Sequence, residues 1–270
     1  MPALVDVHTH TSYSDGKATV EQNVVTAIAA GAETLAITDH LTLPHEIDPI
    51  CEVSVAEADL AALRADIKHA RAAHPELELI FGFECDWYDN CEDNIRRWSE
   101  GATFLLGSVH LVSGRWIDDP NDLSIWEDLG PDEVWRRYVD AWCDACASSI
   151  GFDTMAHPDL PQRFSREGYA ATMNLQPLFE RMAECAHDTS RHIEVSTAGL
   201  RKSVQAYYPA PALLGCFARA QVPVTVGSDA HVPQDVCWGI SEAYNYISSA
   251  GYTHIECPCA DGDWRRIELG

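Results

Sequence analysis

The chain has 270 residues, 46% of them hydrophobic, with 42 Asp and Glu against 18 Lys and Arg for a formal net charge of −24. That length and apolar content can bury a sizeable core and suit one α/β barrel, so a single domain over 1–270 is expected. Polyanion binding rests on clustered basic side chains, which this balance disfavours; a small substrate is expected instead, with no nucleic acid.

The opening Met1-Pro2-Ala3-Leu4-Val5-Asp6 has no basic stretch followed by an apolar one, and no apolar run of about 18 residues follows, so a cytoplasmic location without membrane contact is expected. Short segments rich in Val, Ile and Leu alternate with longer helical patterns, the order expected of β-α units around a mostly parallel sheet. A first strand is predicted over 3–7. A helix over 20–30, begun by Thr19 and Glu21 and stopped by Gly31, leads to a strand over 34–37. A helix over 55–73, ended by His74-Pro75, precedes a strand over 77–83; a short helix near Asn94 precedes one over 104–109. The second half repeats the alternation: helix 131–149, strand 153–156, helix 175–186, strand 192–196, helix 211–220, strand 222–226, helix 236–251 and strand 253–256. Seven or so strands without linker or repeat predict a closed or distorted barrel. The ten cysteines are read as reduced thiols, with Cys143 and Cys146 as helix-packing residues and Cys257 and Cys259 equally structural.

Metal-binding residue types cluster just after these strands, on the face where β/α barrels build active sites. Strand alternation points Asp6, His8 and His10 to one side. Thr38-Asp39-His40 follows the second strand, Glu84 the third, Ser108-Val109-His110 the fourth, His157-Pro158-Asp159 the fifth, and Gly227-Ser228-Asp229-Ala230-His231 the last of the barrel. A lone histidine at a strand end is more often a hydrogen-bonded structural residue than a ligand. Here six of the twelve histidines share that placement, and gathering so many polar side chains in one mouth is costly without metal or full hydrogen bonding. His45, His69, His74, His187, His192 and His254 lie elsewhere, where solvation or packing explains them. Nitrogen and carboxylate donors without a thiolate cage suit Zn²⁺, Fe²⁺ or Mn²⁺, and their number exceeds what one tetrahedral ion uses. Two ions sharing a hydroxide nucleophile, with a further ion offsetting charge on the ester, are expected to hydrolyse phosphate esters without a covalent enzyme intermediate.

The ordered set Asp6-Val7-His8-Thr9-His10, Ser14-Asp15-Gly16, Ile37-Thr38-Asp39-His40, Glu84, Ser108-Val109-His110, His157-Pro158-Asp159 and Gly227-Ser228-Asp229-Ala230-His231 resembles the PHP family, named for its polymerase-associated and histidinol phosphatase members. The resemblance implies a distorted seven-stranded (β/α) barrel as one metallohydrolase domain with three divalent ions. It implies that His8, His10, Glu84 and Asp229 hold one ion, that Glu84, His110 and His157 hold a second, and that Asp15, His40 and His231 hold a third. Some branches carry histidine at Asp15, so the third site is expected to be weaker or to select another metal. Asp6, Asp39 and Asp159 read as groups that orient imidazoles, with Asp159 also able to move a proton. Glu194-Val195-Ser196-Thr197-Ala198-Gly199-Leu200-Arg201-Lys202 and His157-Pro158-Asp159-Leu160-Pro161-Gln162-Arg163-Phe164 resemble the histidinol phosphatase branch, which implies hydrolysis of L-histidinol phosphate with Arg163 and Arg201 on the phosphate. Glu194 or Asp86 would then face the substrate ammonium. The segment Leu111-Val112-Ser113-Gly114-Arg115-Trp116 departs from that branch, so a nucleotide or other small phosphoester is the alternative substrate, with Trp87, Tyr88, Trp116 and Trp238 available for stacking. A non-catalytic module on the same barrel is the reading from another class, and the full ligand set argues against it.

Overall fold

In the computed structural model, which describes residues 2–270, strands and helices alternate from the first segment onward. In chain order they are β1 (Leu4–Asp6), α1 (Val20–Ala30), β2 (Ala32–Ile37), α2 (Leu60–Ala73), β3 (Glu78–Asp86), α3 (Glu92–Trp98) and β4 (Phe104–Ser108). A short insertion follows, with β5 (Leu111–Val112), β6 (Arg115–Trp116) and α4 (Ser124–Leu129). Then come α5 (Pro131–Ala147), β7 (Thr154–Met155), α6 (Gln176–Asp188), β8 (His192–Ser196), α7 (Pro211–Arg219), β9 (Val224–Gly227), α8 (Ile240–Ser249), β10 (His254–Pro258) and β11 (Trp264–Glu268).

Seven strands pair in parallel in the order β1-β2-β3-β4-β7-β8-β9. The edges meet where the Val7 N–H donates to Val226 O at 3.2 Å and Thr9 bridges Ala230, so the sheet nearly closes as a distorted barrel. Helices surround it because their apolar stripes need the outer face of the sheet: Leu63 and Ile67 of α2, Trp142 of α5 and Phe217 of α7 are all buried. Local chemistry sets the ends. Thr19 caps α1 through a reciprocal pair with Gln22, rather than with Glu21, and Gly31 closes it in the left-handed region at φ 83°.

Several boundaries differ from the sequence reading. β3 runs on to Asp86, because Glu84 and Asp86 find partners inside the barrel and need not leave the strand. The late helix begins only at Ile240, since Cys237 and Gly239 both take positive φ, at 61° and 73°. The segment after it does not join the barrel: β10 pairs antiparallel with β11, a strand whose run Trp264-Arg265-Arg266 hid its alternation. Cys143 faces Cys185 across the α5/α6 contact, with sulfurs 2.8 Å apart, rather than its C-x-x-C neighbour Cys146. No helix among the described residues is long and apolar enough to cross a membrane.

Candidate metal centre

Glu84 stands at the middle of the barrel mouth, and five imidazoles converge on its carboxylate. Its Oε2 lies 3.1 Å from His8 Nε2, 3.4 Å from His10 Nε2 and 3.4 Å from His40 Nδ1. Its Oε1 lies 2.8 Å from His157 Nε2 and 3.7 Å from His110 Nε2. Each ring comes from the end of a different strand or its following loop, apart from His8 and His10, which share the extension of β1. Asp229 Oδ1 stands 3.3 Å from His10 Nε2, and His231 Nε2 stands 3.1 Å from Asp15 Oδ2. The backbone bends to deliver two of these groups, with φ of 24° at His157 and 52° at Asp229. Such left-handed geometry is costly for residues with a Cβ and concentrates where function fixes it.

All nine residues expected as ligands, His8, His10, Asp15, His40, Glu84, His110, His157, Asp229 and His231, are therefore neighbours. Their donor atoms fall into overlapping groups within 4.8 Å: His8-His10-Asp229, Glu84-His110-His157, His10-Asp15-His40-His231, and His40-Asp86-His110. The first three resemble the expected partition, except that His10 belongs to two groups and Glu84, expected in two, joins only the second; the fourth brings in Asp86, which the sequence reading had set beside the substrate rather than among the ligands.

The donor set fits divalent cations on a structural ground. Both nitrogens of His10, His40 Nδ1 and Asp86 Oδ2 are buried and lack any hydrogen-bond partner. A buried polar group without a partner is destabilising, and a cation supplies one for several such atoms together. Burial and the stacked His231 ring, 4.2 Å away between centroids, push His10 down to about 4, so the ring is neutral and offers a lone pair at pH 7. Burial alone would raise Glu84, yet His40, His8 and His110 hold it well below the usual carboxylate range. Asp229 is partly buried and is likewise held low by His231, His8 and His10. Despite burial, the same carboxylates hold His8, His40, His110 and His231 above the usual imidazole range, with His110 raised to about 9, so a zinc, iron or manganese ion bound there takes the place of protons on those rings.

The carboxylates around this ring trade the parts expected of them. Glu194 is fully buried; its Oε1 lies 2.8 Å from His8 Nδ1 and its Oε2 accepts from the His157 N–H at 2.9 Å. Asp86 Oδ1 lies 2.7 Å from His110 Nδ1. Both therefore orient imidazoles and neither lines the cavity, a placement that does not favour the expectation that either faces a substrate ammonium. Asp6 and Asp39, expected to orient rings, clamp loops: Asp6 accepts from Ser228 N, Ser228 Oγ and Cys237 N, and Asp39 from Thr11 N, Thr11 Oγ1 and Ser14 Oγ. Asp159, pushed up to about 7 by burial, accepts from the Ala210 N–H at 2.7 Å and does not line the cavity, a placement that does not support proton transfer there.

A cavity of about 760 Å³ opens over the ring, walled by His40, His110, His157, Asp229 and His231. Arg163 and Lys202 bring positive charge to its wall, while Asp118 and Asp119 make another part of it acidic. Arg201, expected on the phosphate, is turned aside. Its Nη2 donates to Ser228 O at 2.6 Å and Asp229 O at 3.2 Å, its Nε lies 3.0 Å from Asp235 Oδ2, and its guanidinium covers the Trp238 ring. Lys202 and Tyr208 both border the cavity and were missed by the sequence reading. Of the four aromatics considered for base stacking, Trp116 alone lines it.

Comparison with known proteins bears on the family and the fold. The PHP domain model matches residues 6–198. A "Probable histidinol-phosphatase" of Deinococcus radiodurans is 26% identical over 260 residues, covering 93% of this chain and 95% of that protein. A "Histidinol-phosphatase" of Bacillus subtilis is 22% identical over 253 residues, covering 86% and 94%. The crystal structure of a histidinol phosphate phosphatase from Lactococcus lactis, complexed with zinc, L-histidinol and phosphate, shares the fold at a TM-score of 0.77 with 19% identity, covering 95% of this chain and 97% of that one. With its family motifs spaced along the barrel mouth and the domain model matching from Asp6 through Ala198, the chain belongs to the PHP family.

Proposed function

We propose that this protein is a metal-dependent phosphomonoesterase that hydrolyses L-histidinol phosphate, as in histidine biosynthesis, at a centre of three divalent ions. The observation that carries this reading is the ring of imidazoles and carboxylates around Glu84, with buried donor atoms lacking partners, beneath a cavity that also presents Arg163 and Lys202. Ions held there supply Lewis acidity, which lowers the pKa of water and draws charge from a phosphoryl oxygen. The chain's own residues do the rest. Glu194 and Asp86 fix ring orientation, and thereby which nitrogen faces the centre. Arg163 and Lys202 attract the dianionic phosphoryl group. Asp118 and Asp119, rather than Asp86 and Glu194, suit the ammonium of histidinol. The names of the relatives support the substrate, as do zinc, L-histidinol and phosphate in the Lactococcus protein.

The test is metal stoichiometry measured together with phosphate release from a panel of monoesters and diesters, nucleotide esters included. About three ions per chain and preferential release from L-histidinol phosphate are expected, and His8→Ala and Glu84→Gln should lose both metal and turnover. Intact histidinol phosphate beside hydrolysed nucleotide esters would sink the substrate assignment; turnover unchanged in both variants would sink the metal centre.

A further inference from the structure

Tyr208 borders the cavity and carries a hydroxyl for which the fold provides no partner. The residue is 2% exposed, and its hydroxyl oxygen is shielded and bonded to nothing. Its backbone is fixed to the end of β8, where the Tyr208 N–H donates to Ser196 O at 3.1 Å and the Ser196 N–H donates to Tyr208 O at 2.6 Å. The ring lies against Gly199: a Cβ there would stand 3.0 Å from Tyr208 Cε2 and 3.1 Å from Cζ, so the absent side chain is what gives the phenol its place. On its other side the ring meets the His157 imidazole edge-on, with centroids 6.4 Å apart. The wall around it holds His157, Arg163, Lys202 and Asp229.

Phenylalanine would fill the same volume and spare the folded protein a buried, unsatisfied hydroxyl. A hydroxyl that is costly to the folded protein, on a residue that borders a cavity beside two cations, suits an anionic ligand. A phenol, with an ordinary pKa of about 10 and burial that disfavours its anion, remains a donor at neutral pH. We propose that Tyr208 is a catalytic residue whose hydroxyl donates a hydrogen bond to an oxygen of the bound phosphoryl group, beside Arg163 and Lys202. This rests on the phosphomonoesterase reading above.

The experiment compares Tyr208→Phe with the wild-type protein, both metal-loaded, on a monoester that the wild type hydrolyses. Expected are a fall of about 10–100-fold in kcat/KM, as for a lost hydrogen bond to a charged group, and inorganic phosphate inhibition weakened about tenfold. Metal content should be unchanged and Tm equal or higher, because only a hydroxyl without a partner has been removed. Wild-type kcat/KM and phosphate inhibition in the variant would overturn the assignment, and so would a drop in Tm or metal content, which marks a structural role. A wild-type protein that releases phosphate from no monoester is a different failure: it defeats the phosphatase reading itself.

Discussion

Glu194 shows how one side chain can serve two others. It reaches the His8 ring with one oxygen and the His157 backbone with the other, so it fixes two ligand candidates from opposite sides of the mouth. Glu194→Gln keeps the shape but replaces one acceptor with a donor, and should weaken metal affinity by about 10–100-fold in a competitive chelator titration. Wild-type affinity would show that the contact is incidental. At this scale the sequence revealed the ligand candidates well, since strand-end placement and alternation decide which side chains reach the mouth. It revealed their supports poorly. Alternation says that Glu194 and Asp86 face inward, but not which partner waits across the barrel, and nothing local says which of the consecutive cations Arg201 and Lys202 turns toward the cavity.

Elements transmit these constraints through close backbone approach. β9 ends at Gly227, where an added Cβ would stand 2.2 Å from Glu194 Oε1 and 2.6 Å from His8 Cβ. Gly227→Ala should therefore cost about 1–3 kcal/mol in denaturant unfolding and also lower metal affinity by displacing Glu194; an unperturbed variant would mean that the strand yields freely. Elsewhere, the hairpin of β10 and β11 leans on β8 through His192, whose ring stacks on Trp264 at 3.6 Å and whose Nε2 lies 2.8 Å from Glu256 Oε2. Burial lowers the His192 pKa below its ordinary value of 6.5, despite Glu256. The unfolded chain then takes up the proton first, so this contribution to stability is fully present above about pH 6.5 and is lost as pH falls from there toward the folded value. Unfolding curves measured between pH 7 and 5 should show a shallower decline for His192→Gln than for the wild type. The sequence reading found β10 as a strand over 253–256 but missed β11 and their pairing, because a short strand outside the barrel leaves little periodic signal.

The whole molecule gathers negative charge and then places some of its carboxylates where water is excluded. With a net charge of −24 and Glu84, Asp86 and Glu194 all buried in one region, cations bound there stabilise the folded chain over the unfolded one. Chelation should lower Tm by several degrees, and re-addition of zinc or manganese should restore it; free metal at a hundred times its Kd corresponds to about 2.7 kcal/mol per site. A Tm indifferent to chelator would contradict this. The barrel itself was legible because β-α alternation is a long, repeated pattern, whereas the insertion between β4 and α5 is too short and irregular to announce its hairpin. Because five rings lean on the single carboxylate of Glu84, no corner of the mouth can drift alone. Descendants of this chain can retune the rim for new leaving groups at leisure, but the hub is inherited whole or lost at a stroke.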